Sequence, residues 1–386
     1  MQDLRLGIIG LGNMGQVHAH AIATGKVSHC RLSAVCDPDP RLLGNYPPAH
    51  GFLSSSELIS SGEVDAVLIA TPHYSHTTLG IEALEAGLHV LVEKPLSVHK
   101  ADCERLIAAH RSEGQVFAVM FNQRTDPSYR KLRELIQNAE LGAIRRINWI
   151  VTSWFRTAAY YASGGWRATW AGEGGGVLLN QCPHQLDLWQ WLFGMPHKVR
   201  AFCHLGRYHD IEVEDDVTAY FEYESGTTGV LITSTGEAPG TDRLEIAAER
   251  GRVIIENDRF RFARNEVPMS QFCRESADWF GKPQTWEVEI PVSGHGGQHN
   301  EILQNFTYAI LQGDPLIAPA AEGIRSVELA NAMLLSSFTD STVSLPIDAK
   351  TFERLLNERI AGSAIGKKDV RLRALNLEDF AKSFRP

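Results

Sequence analysis

The chain has no long apolar run, no surplus of basic residues and no paired cysteines. Its longest apolar stretches are short strands such as Ala66 to Ala70, far below the length that crosses a bilayer. Of its 386 residues, 37 are Lys or Arg and 46 are Asp or Glu, and this net charge of −9 argues against nucleic acid as a partner. Strand sequence begins within a few residues of Met1, which leaves no room for a signal peptide. We therefore predict a cytoplasmic globular protein without nucleic-acid or membrane partners.

Neither the cysteines nor the histidines are spaced like metal ligands. The six cysteines include no Cys-x-x-Cys pair, and a chain of this size needs no disulfides, so we expect buried free thiols. His73 and His76 have no third ligand nearby, and His204 and His209 lie in strand-rich sequence without a cysteine pair. We predict no bound metal.

The first third of the chain alternates apolar runs with helical patterns. The runs predict strands at 6–9, 32–36, 64–70, 89–92 and 116–121, with helices at about 76–86 and 98–113. Strands that are apolar throughout and alternate with helices indicate a parallel sheet covered on both faces. We expect an α/β fold whose N-terminal Rossmann domain covers residues 1–122.

The pattern changes in the rest of the chain. A long strand is predicted at 144–155, and strand-and-turn sequence dominates from 199 to 290, with alternating polarity in 217–223. This predicts a mostly antiparallel sheet in an α+β second domain over residues 123–386. Helices are expected near 298–311 and 322–337, before a C-terminal tail of about twenty residues rich in Lys, Arg and Asp.

The segment Gly10-Leu11-Gly12-Asn13-Met14-Gly15 has the spacing of a dinucleotide-binding turn. It follows a strand and opens a helix, so that Gly10 permits the tight turn, Gly12 lets a pyrophosphate approach the backbone, and Gly15 lets helix and strand pack closely. The free N–H groups and positive dipole of the helix N-terminus then face the phosphates. We predict that these six residues bind a dinucleotide.

Asp37, which ends the second strand, favours NAD over NADP. Its carboxylate would accept hydrogen bonds from a ribose diol and repel a 2′-phosphate. No basic residue follows it until Arg41. NADP would require Arg41 or Arg31 to fold toward the phosphate.

Four segments, in this order and spacing, resemble the glucose–fructose oxidoreductase/inositol dehydrogenase (Gfo/Idh/MocA) family over most of the chain. They are Gly10 to Gly15, Ala70-Thr71-Pro72 with His76, Glu93-Lys94-Pro95, and Gly174-Gly175-Gly176 leading to His184 and Asp187. The resemblance implies that the second domain has a large open sheet, commonly a dimer or tetramer interface, and that the Lys94–Pro95 peptide is cis. It also implies that NAD is contacted by the glycine turn and by Asp37, Thr71, Pro72, His76, Glu93, Lys94 and Asn122.

The resemblance assigns the chemistry to Lys94, His184 and Asn180. In an open α/β sheet ligands bind beyond the carboxyl ends of the strands, where Lys94 would contact a substrate hydroxyl and lower its pKa. His184 is the expected general base, because the pKa of histidine lies near neutrality. Members of the family often carry aspartate where this chain has Asn180. Asparagine can bond a hydroxyl but cannot take a proton, so more of the acid–base work falls on His184 and Lys94.

Aromatic residues and arginines are concentrated around a glycine-containing loop at 158–176. Aromatic faces stack on sugars, and the guanidinium groups of arginines donate paired hydrogen bonds to hydroxyls or anions. These residue types favour an oxygen-rich or anionic sugar. The expected substrate contacts are Arg124, Trp154, Arg156, Tyr160, Tyr161, Trp166, Arg167, Trp170, Asn180 and His184.

The leading hypothesis is an NAD-dependent dehydrogenase or reductase that acts on a secondary hydroxyl of a sugar or sugar derivative. One alternative is an NAD-dependent glycosidase that works by transient C3 oxidation, elimination and re-reduction, with Tyr160 or Tyr161 as an additional base. The other is a non-catalytic dinucleotide-sensing regulator, against which the presence of Lys94 and His184 argues. We expect a homodimer or homotetramer assembled through the C-terminal sheet.

Overall fold

A computed structural model describes residues 3–363, which form two sheets; the predicted C-terminal tail lies outside this range. The first sheet has six parallel strands in the order β3-β2-β1-β4-β5-β6, the order of a dinucleotide-binding Rossmann domain. Its strands are β1 (Leu4–Ile9), β2 (Cys30–Cys36), β3 (His50–Phe52), β4 (Ala66–Ile69), β5 (His89–Val92) and β6 (Phe117–Val119). Five helices accompany them: α1 (Asn13–Ala23), α2 (Pro40–Leu43), α3 (Ser55–Ser60), α4 (His73–Glu85) and α5 (Lys100–Ala109).

The five predicted strands of the first domain are present, most with different ends, and the structure adds the short strand β3 and the helices α2 and α3, which were not predicted. Helix α4 begins at His73 rather than His76, because Pro72 occupies its N-cap and fixes the entering backbone. The predicted strand at 116–121 is shorter, because the Phe121 amide bonds the Val119 carbonyl in a turn and leaves the ladder. The start of α4 and the end of β6 both lie at the carboxyl edge of the sheet.

The second sheet has nine strands in the order β14-β13-β12-β11-β7-β10-β9-β8-β15. It is mostly antiparallel as predicted, but β7 and β10 pair in parallel. Its strands are β7 (Ile144–Val151), β8 (Lys198–Leu205), β9 (Glu214–Glu222), β10 (Thr228–Ser234), β11 (Asp242–Ala248), β12 (Gly251–Glu256), β13 (Arg259–Asn265), β14 (Thr285–Ile290) and β15 (Val343–Ser344). The helices of this half are α6 (Pro127–Gln137), α7 (Ala158–Ala162), α8 (Pro183–Phe193), α9 (Met269–Glu275), α10 (Gln298–Gln312), α11 (Ala320–Phe338) and α12 (Ala349–Ala361).

Helices α8 and α11 cover one face of the second sheet. The indole of Trp189 on α8 stacks on Trp149 of β7 with ring centroids 6.4 Å apart, and both side chains are fully buried. The opposite face carries exposed apolar side chains, among them Phe202 of β8 and Tyr220 of β9. The sheet is therefore open on that face.

The two cores are not divided at one point of the chain. Ile302 and Phe306 of α10 pack into the core of the first sheet, although the predicted boundary at 122/123 placed them in the second domain. The Val119 amide also bonds the Ala318 carbonyl at 3.1 Å, which ties the last strand of the first sheet to the segment before α11. The C-terminal half thus completes the Rossmann core and fixes the second domain against it.

Of the six cysteines, all free, Cys273 on α9 is exposed rather than buried as predicted. Within residues 3–363 no helix combines the length and the apolar character that a membrane span requires.

Candidate active site

The glycine turn lies between β1 and α1, and its glycines are required by the backbone. Gly10 has φ +94°, and a Cβ there would lie 2.7 Å from the Ala70 carbonyl oxygen. A Cβ on Gly15 would lie 1.8 Å from the carbonyl oxygen of Gly10, whereas one on Gly12 would meet no atom within 4 Å. Gly10 and Gly15 therefore close the turn, and Gly12 leaves open space where a pyrophosphate can approach.

The features around this turn fit NAD. Helix α1 starts at Asn13 with no side-chain cap, so its first N–H groups are available to an anion. The Asp37 carboxylate accepts from the Leu11 amide at 2.8 Å and the Asp39 amide at 2.9 Å, one bond per oxygen. Each oxygen keeps a lone pair for a ribose hydroxyl. Arg41 bonds Asp39 at 2.6 Å, so its guanidinium is engaged there.

His76 joins two segments that were expected to touch the cofactor. Its Nδ1 lies 2.9 Å from the Pro95 carbonyl oxygen, and its Nε2 lies 2.9 Å from that of Thr71. The ring is buried, and each of its nitrogens faces a backbone carbonyl, to one of which the neutral imidazole can donate. His76 thus positions the Thr71–Pro72 segment and the turn at Pro95, rather than offering a free nitrogen to NAD.

Asn122 follows β6 at the same edge of the sheet. Its Nδ2 donates to Oε1 of Gln298 at 2.5 Å, and among residues 3–363 nothing bonds its buried Oδ1. Thr71 likewise has a buried hydroxyl without a partner in this range. These two oxygens are the polar atoms here that a bound nicotinamide or ribose could satisfy.

The Glu93 carboxylate accepts a hydrogen bond from the backbone of Lys94 and so holds that residue in place. Its Oε1 lies 2.7 Å from Nε2 of His18, and its Oε2 accepts the Lys94 amide at 3.1 Å. Burial works to raise the pKa of the Glu93 carboxyl, but the hydrogen bond from His18 and nearby positive charge hold that pKa at about 2. The carboxylate is therefore charged and fixes the turn. Sequence reasoning missed His18, whose only signal is a polar residue on the buried face of α1.

Lys94 lies just past β5, and its peptide bond to Pro95 is cis, as the resemblance implies. Its Nζ donates to the backbone carbonyl of Asn180 at 2.8 Å, which spans the two halves of the chain. Burial lowers the pKa of the Lys94 ammonium, against the opposing charge of Glu93, and the positive charge of Arg167 lowers it further. The side chain remains partly exposed.

Asn180 lies in the turn before α8, at the centre of a polar network. Its Nδ2 donates to the Glu173 carboxylate, and its Oδ1 accepts from the Tyr160 hydroxyl at 3.1 Å. That hydroxyl accepts in turn from the Arg167 guanidinium at 2.9 Å. Burial raises the pKa of Glu173, with the Arg167 charge opposing it. Glu173, which lies in the glycine-containing loop at 158–176 and was not singled out from the sequence, is a buried member of the site.

His184 lies in the first turn of α8, directly after Pro183. Its ring meets Phe121 edge-on with centroids 6.3 Å apart, and among residues 3–363 nothing bonds its Nδ1. Burial lowers the pKa of His184 well below the usual value, and the charge of Lys94 lowers it further. The imidazole is therefore neutral at pH 7, the form that can accept a proton.

The glycines before Asn180 let the chain pass directly over β9. A Cβ on Gly176 would lie 1.9 Å from the carbonyl oxygen of Glu214. The Glu214 carboxylate accepts the amides of Gly176 at 2.8 Å and Leu178 at 3.1 Å, and burial raises its pKa to about 7. Glu214 was not predicted from the sequence, since nothing in a strand-forming segment marks an inward glutamate as a loop anchor.

Three predicted substrate contacts do not join this network. Arg124 is buried and bonds Asp187 with two nitrogens, so it holds helices together rather than facing a ligand. Trp170 is buried against Phe338 at 5.8 Å between ring centroids. The hydroxyl of Tyr161 pairs with that of Thr235 at 2.8 Å, and burial raises its pKa, which removes it as a candidate base.

The remaining predicted contacts do cluster around Tyr160. The Arg156 guanidinium lies 5.8 Å from the ring of Trp154, and that of Arg167 lies 4.6 Å from the ring of Trp166. Both arginines also lie over the ring of Tyr160, at 5.1 Å and 4.7 Å. The structure therefore gathers aromatic faces and guanidinium groups beside Asn180.

This geometry defines a two-domain enzyme that binds a dinucleotide at the edge of a parallel sheet, with a lysine and a neutral histidine beside it. The chain matches the oxidoreductase family with an NAD-binding Rossmann fold over residues 4–121 and the GFO/IDH/MocA C-terminal domain over residues 129–254. It belongs to the Gfo/Idh/MocA family and is an NAD-binding oxidoreductase.

Relatives of known activity and structure resemble it over most of their length. Inositol 2-dehydrogenase of Corynebacterium glutamicum is 34% identical over 270 residues, which cover 63% of this chain and 76% of that protein. Myo-inositol 2-dehydrogenase of Thermotoga maritima is 28% identical over 268 residues, covering 66% and 76%. The WlbA dehydrogenase of Chromobacterium violaceum, solved with NADH and UDP-GlcNAcA, superposes with a TM-score of 0.78 at 27% identity, covering 90% of this chain and 97% of that one.

Proposed function

We propose that the protein oxidises a secondary hydroxyl of a sugar or sugar derivative with NAD, as a sugar dehydrogenase. The observation that carries this proposal is the placement of Lys94 and a neutral His184 at the carboxyl edge of the sheet, beside the glycine turn. Relatives named inositol 2-dehydrogenase and levoglucosan dehydrogenase act on polyhydroxylated rings, which supports it.

The residues of the chain supply binding and proton transfer, and NAD when bound supplies the hydride acceptor. The Lys94 ammonium donates a hydrogen bond to the substrate hydroxyl oxygen and so favours its ionised form. The hydroxyl proton passes to the imidazole of His184, and the carbon that loses its hydride becomes a carbonyl. Asn180 is neutral, so it orients a hydroxyl through its amide and takes no proton.

A screen of sugars and glycosides with purified protein and NAD tests this proposal, with NADH and free aglycone measured in parallel. We expect stoichiometric NADH from a free sugar. Aglycone release without net NADH would instead establish the glycosidase alternative, with Tyr160 rather than Tyr161 as the tyrosine at the site. Tight NAD binding with neither product would favour the regulator.

The acidic limb of the pH profile should reflect His184. Catalysis needs the neutral imidazole, and burial lowers the pKa of His184, so the active form persists to lower pH than an exposed histidine would allow. We expect kcat/KM to fall with a midpoint below about 6.5, the usual histidine pKa. A pH–rate profile measures this, with His20→Asn on the exposed side of α1 as control. A midpoint at or above the usual value would contradict the assignment.

The open face of the second sheet presents Phe202 and Tyr220, 52% and 40% exposed, which is the kind of apolar surface that a second copy covers. We propose a homodimer or homotetramer through this face and a cytoplasmic location. Phe202→Asp should lower the mass found by sedimentation velocity, because a buried charge opposes association. An unchanged mass in the variant, or a single-chain mass for the wild type, would contradict the interface.

A further inference from the structure

We propose that the sugar carries a carboxylate, and that Arg156 and Arg167 recognise it over the ring of Tyr160. This inference rests on the proposed function and narrows its substrate class. The two guanidinium carbons lie 5.1 Å and 4.7 Å from the centroid of the Tyr160 ring. The hydroxyl of that tyrosine is one hydrogen bond from the Asn180 amide, so the pair lies beside the atoms that handle the substrate.

Most donors of the two guanidinium groups are not engaged by the protein. Arg156 gives one hydrogen bond, from NH1 to the Phe155 carbonyl at 3.1 Å, and among residues 3–363 its buried Nε has no partner and no carboxylate forms an ion pair with it. Arg167 donates from NH1 to Tyr160 at 2.9 Å and lies 3.7 Å from Glu173. Each group therefore keeps N–H donors for a ligand.

The site carries more positively charged side chains than negatively charged ones. Lys94, Arg156 and Arg167 are cationic, the charged carboxylate of Glu93 lies beside Lys94, and burial raises the pKa of Glu173, which lies 3.7 Å from Arg167. Asn180 and His184 add no negative charge. Cations that share a partly buried cleft repel one another and gain from an anion placed between them.

A carboxylated sugar matches these donors in shape. Guanidinium groups bind planar carboxylates through paired parallel N–H bonds, and the aromatic faces of Trp154 and Trp166 beside them suit the C–H surface of a sugar ring. A neutral hexose would leave the Arg156 guanidinium without a carboxylate partner among residues 3–363. We therefore expect the site to discriminate by charge.

The test compares sugars that differ in one group. Hexuronic acids such as glucuronate and galacturonate, their neutral hexoses and the corresponding hexose phosphates are titrated calorimetrically into the NADH-loaded protein. We expect the carboxylated sugars to bind at least about tenfold more tightly than the neutral ones. Arg156→Gln should abolish most of that preference without changing NADH affinity, whereas Arg259→Gln, an exposed arginine of the second sheet, should preserve it.

Several results would overturn the assignment. Equal binding of neutral and carboxylated sugars, no binding of any hexuronic acid, or a preference for the phosphates would each exclude a carboxylate site. Loss of NADH affinity in Arg156→Gln would place that arginine at the cofactor instead. NADH production from neutral sugars without charge preference would leave the proposed function standing. Absence of NADH from every sugar would count against the function and not against the binding preference.

Discussion

Lys94→Met should lower kcat by about a hundredfold to ten-thousandfold, the usual contribution of a group that assists proton transfer. The Lys94 ammonium is the cation at the carboxyl edge of β5, and its pKa is lowered by burial, so it can stabilise a developing alkoxide. Methionine keeps the length of the side chain and removes the charge. NAD binding should survive, because the glycine turn and Asp37 are untouched.

The measurement separates catalysis from binding. Steady-state kinetics give kcat and KM, and tryptophan fluorescence titration gives the NAD affinity of the same preparation. Lys131→Met, which removes a half-buried lysine on α6, is the matched control and should behave as wild type. Unchanged kcat in Lys94→Met would remove Lys94 from the mechanism. Loss of NAD binding would make it a cofactor-holding residue instead.

Asp187→Ala should lower the free energy of unfolding by about 3–5 kcal/mol, the usual cost of removing one partner of a buried ion pair. Asp187 and Arg124 are each 1% exposed and joined by bonds of 2.6 Å and 2.7 Å. Without Asp187, the Arg124 guanidinium would retain Glu322, whose side chain is 33% exposed. The pair also anchors α8, so His184 should lose its position and activity should fall.

Equilibrium urea unfolding followed by tryptophan fluorescence measures this change. Lys131→Ala removes an exposed pair with Glu134 and should cost less than about 1 kcal/mol. Replacing Arg124 and Asp187 together by leucine should recover much of the loss, because no unpaired charge is then buried. A small effect of Asp187→Ala would contradict a large net contribution of this pair to stability, with Glu322 then sufficient to neutralise Arg124.

The sequence by itself determined the parts of this protein that depend on local chemistry. The positive φ of Gly10 and the close contact between Gly15 and the Gly10 carbonyl allow only glycine at these positions. The turn can therefore be recognised in the sequence from glycines at a fixed spacing. Asp37 follows from the end of the next strand, and the position of Lys94 from a strand, a turn and a proline, whereas the role of Lys94 was predicted from the resemblance to the family. These features need a few consecutive residues, and their physical requirements are met within them.

Only the tertiary structure decided which charged and aromatic residues are paired within the protein and which keep groups available to a ligand. In the sequence, nothing distinguishes Arg124 from Arg156 and Arg167. In the structure, Arg124 is buried and paired with Asp187, which lies 63 positions further along the chain. The guanidinium groups of Arg156 and Arg167 instead lie over the ring of Tyr160. His18, Glu214 and Trp170 likewise take their roles from strands and helices distant in the chain. Burial and ion pairing depend on which segments pack together, and a single sequence does not contain that information locally.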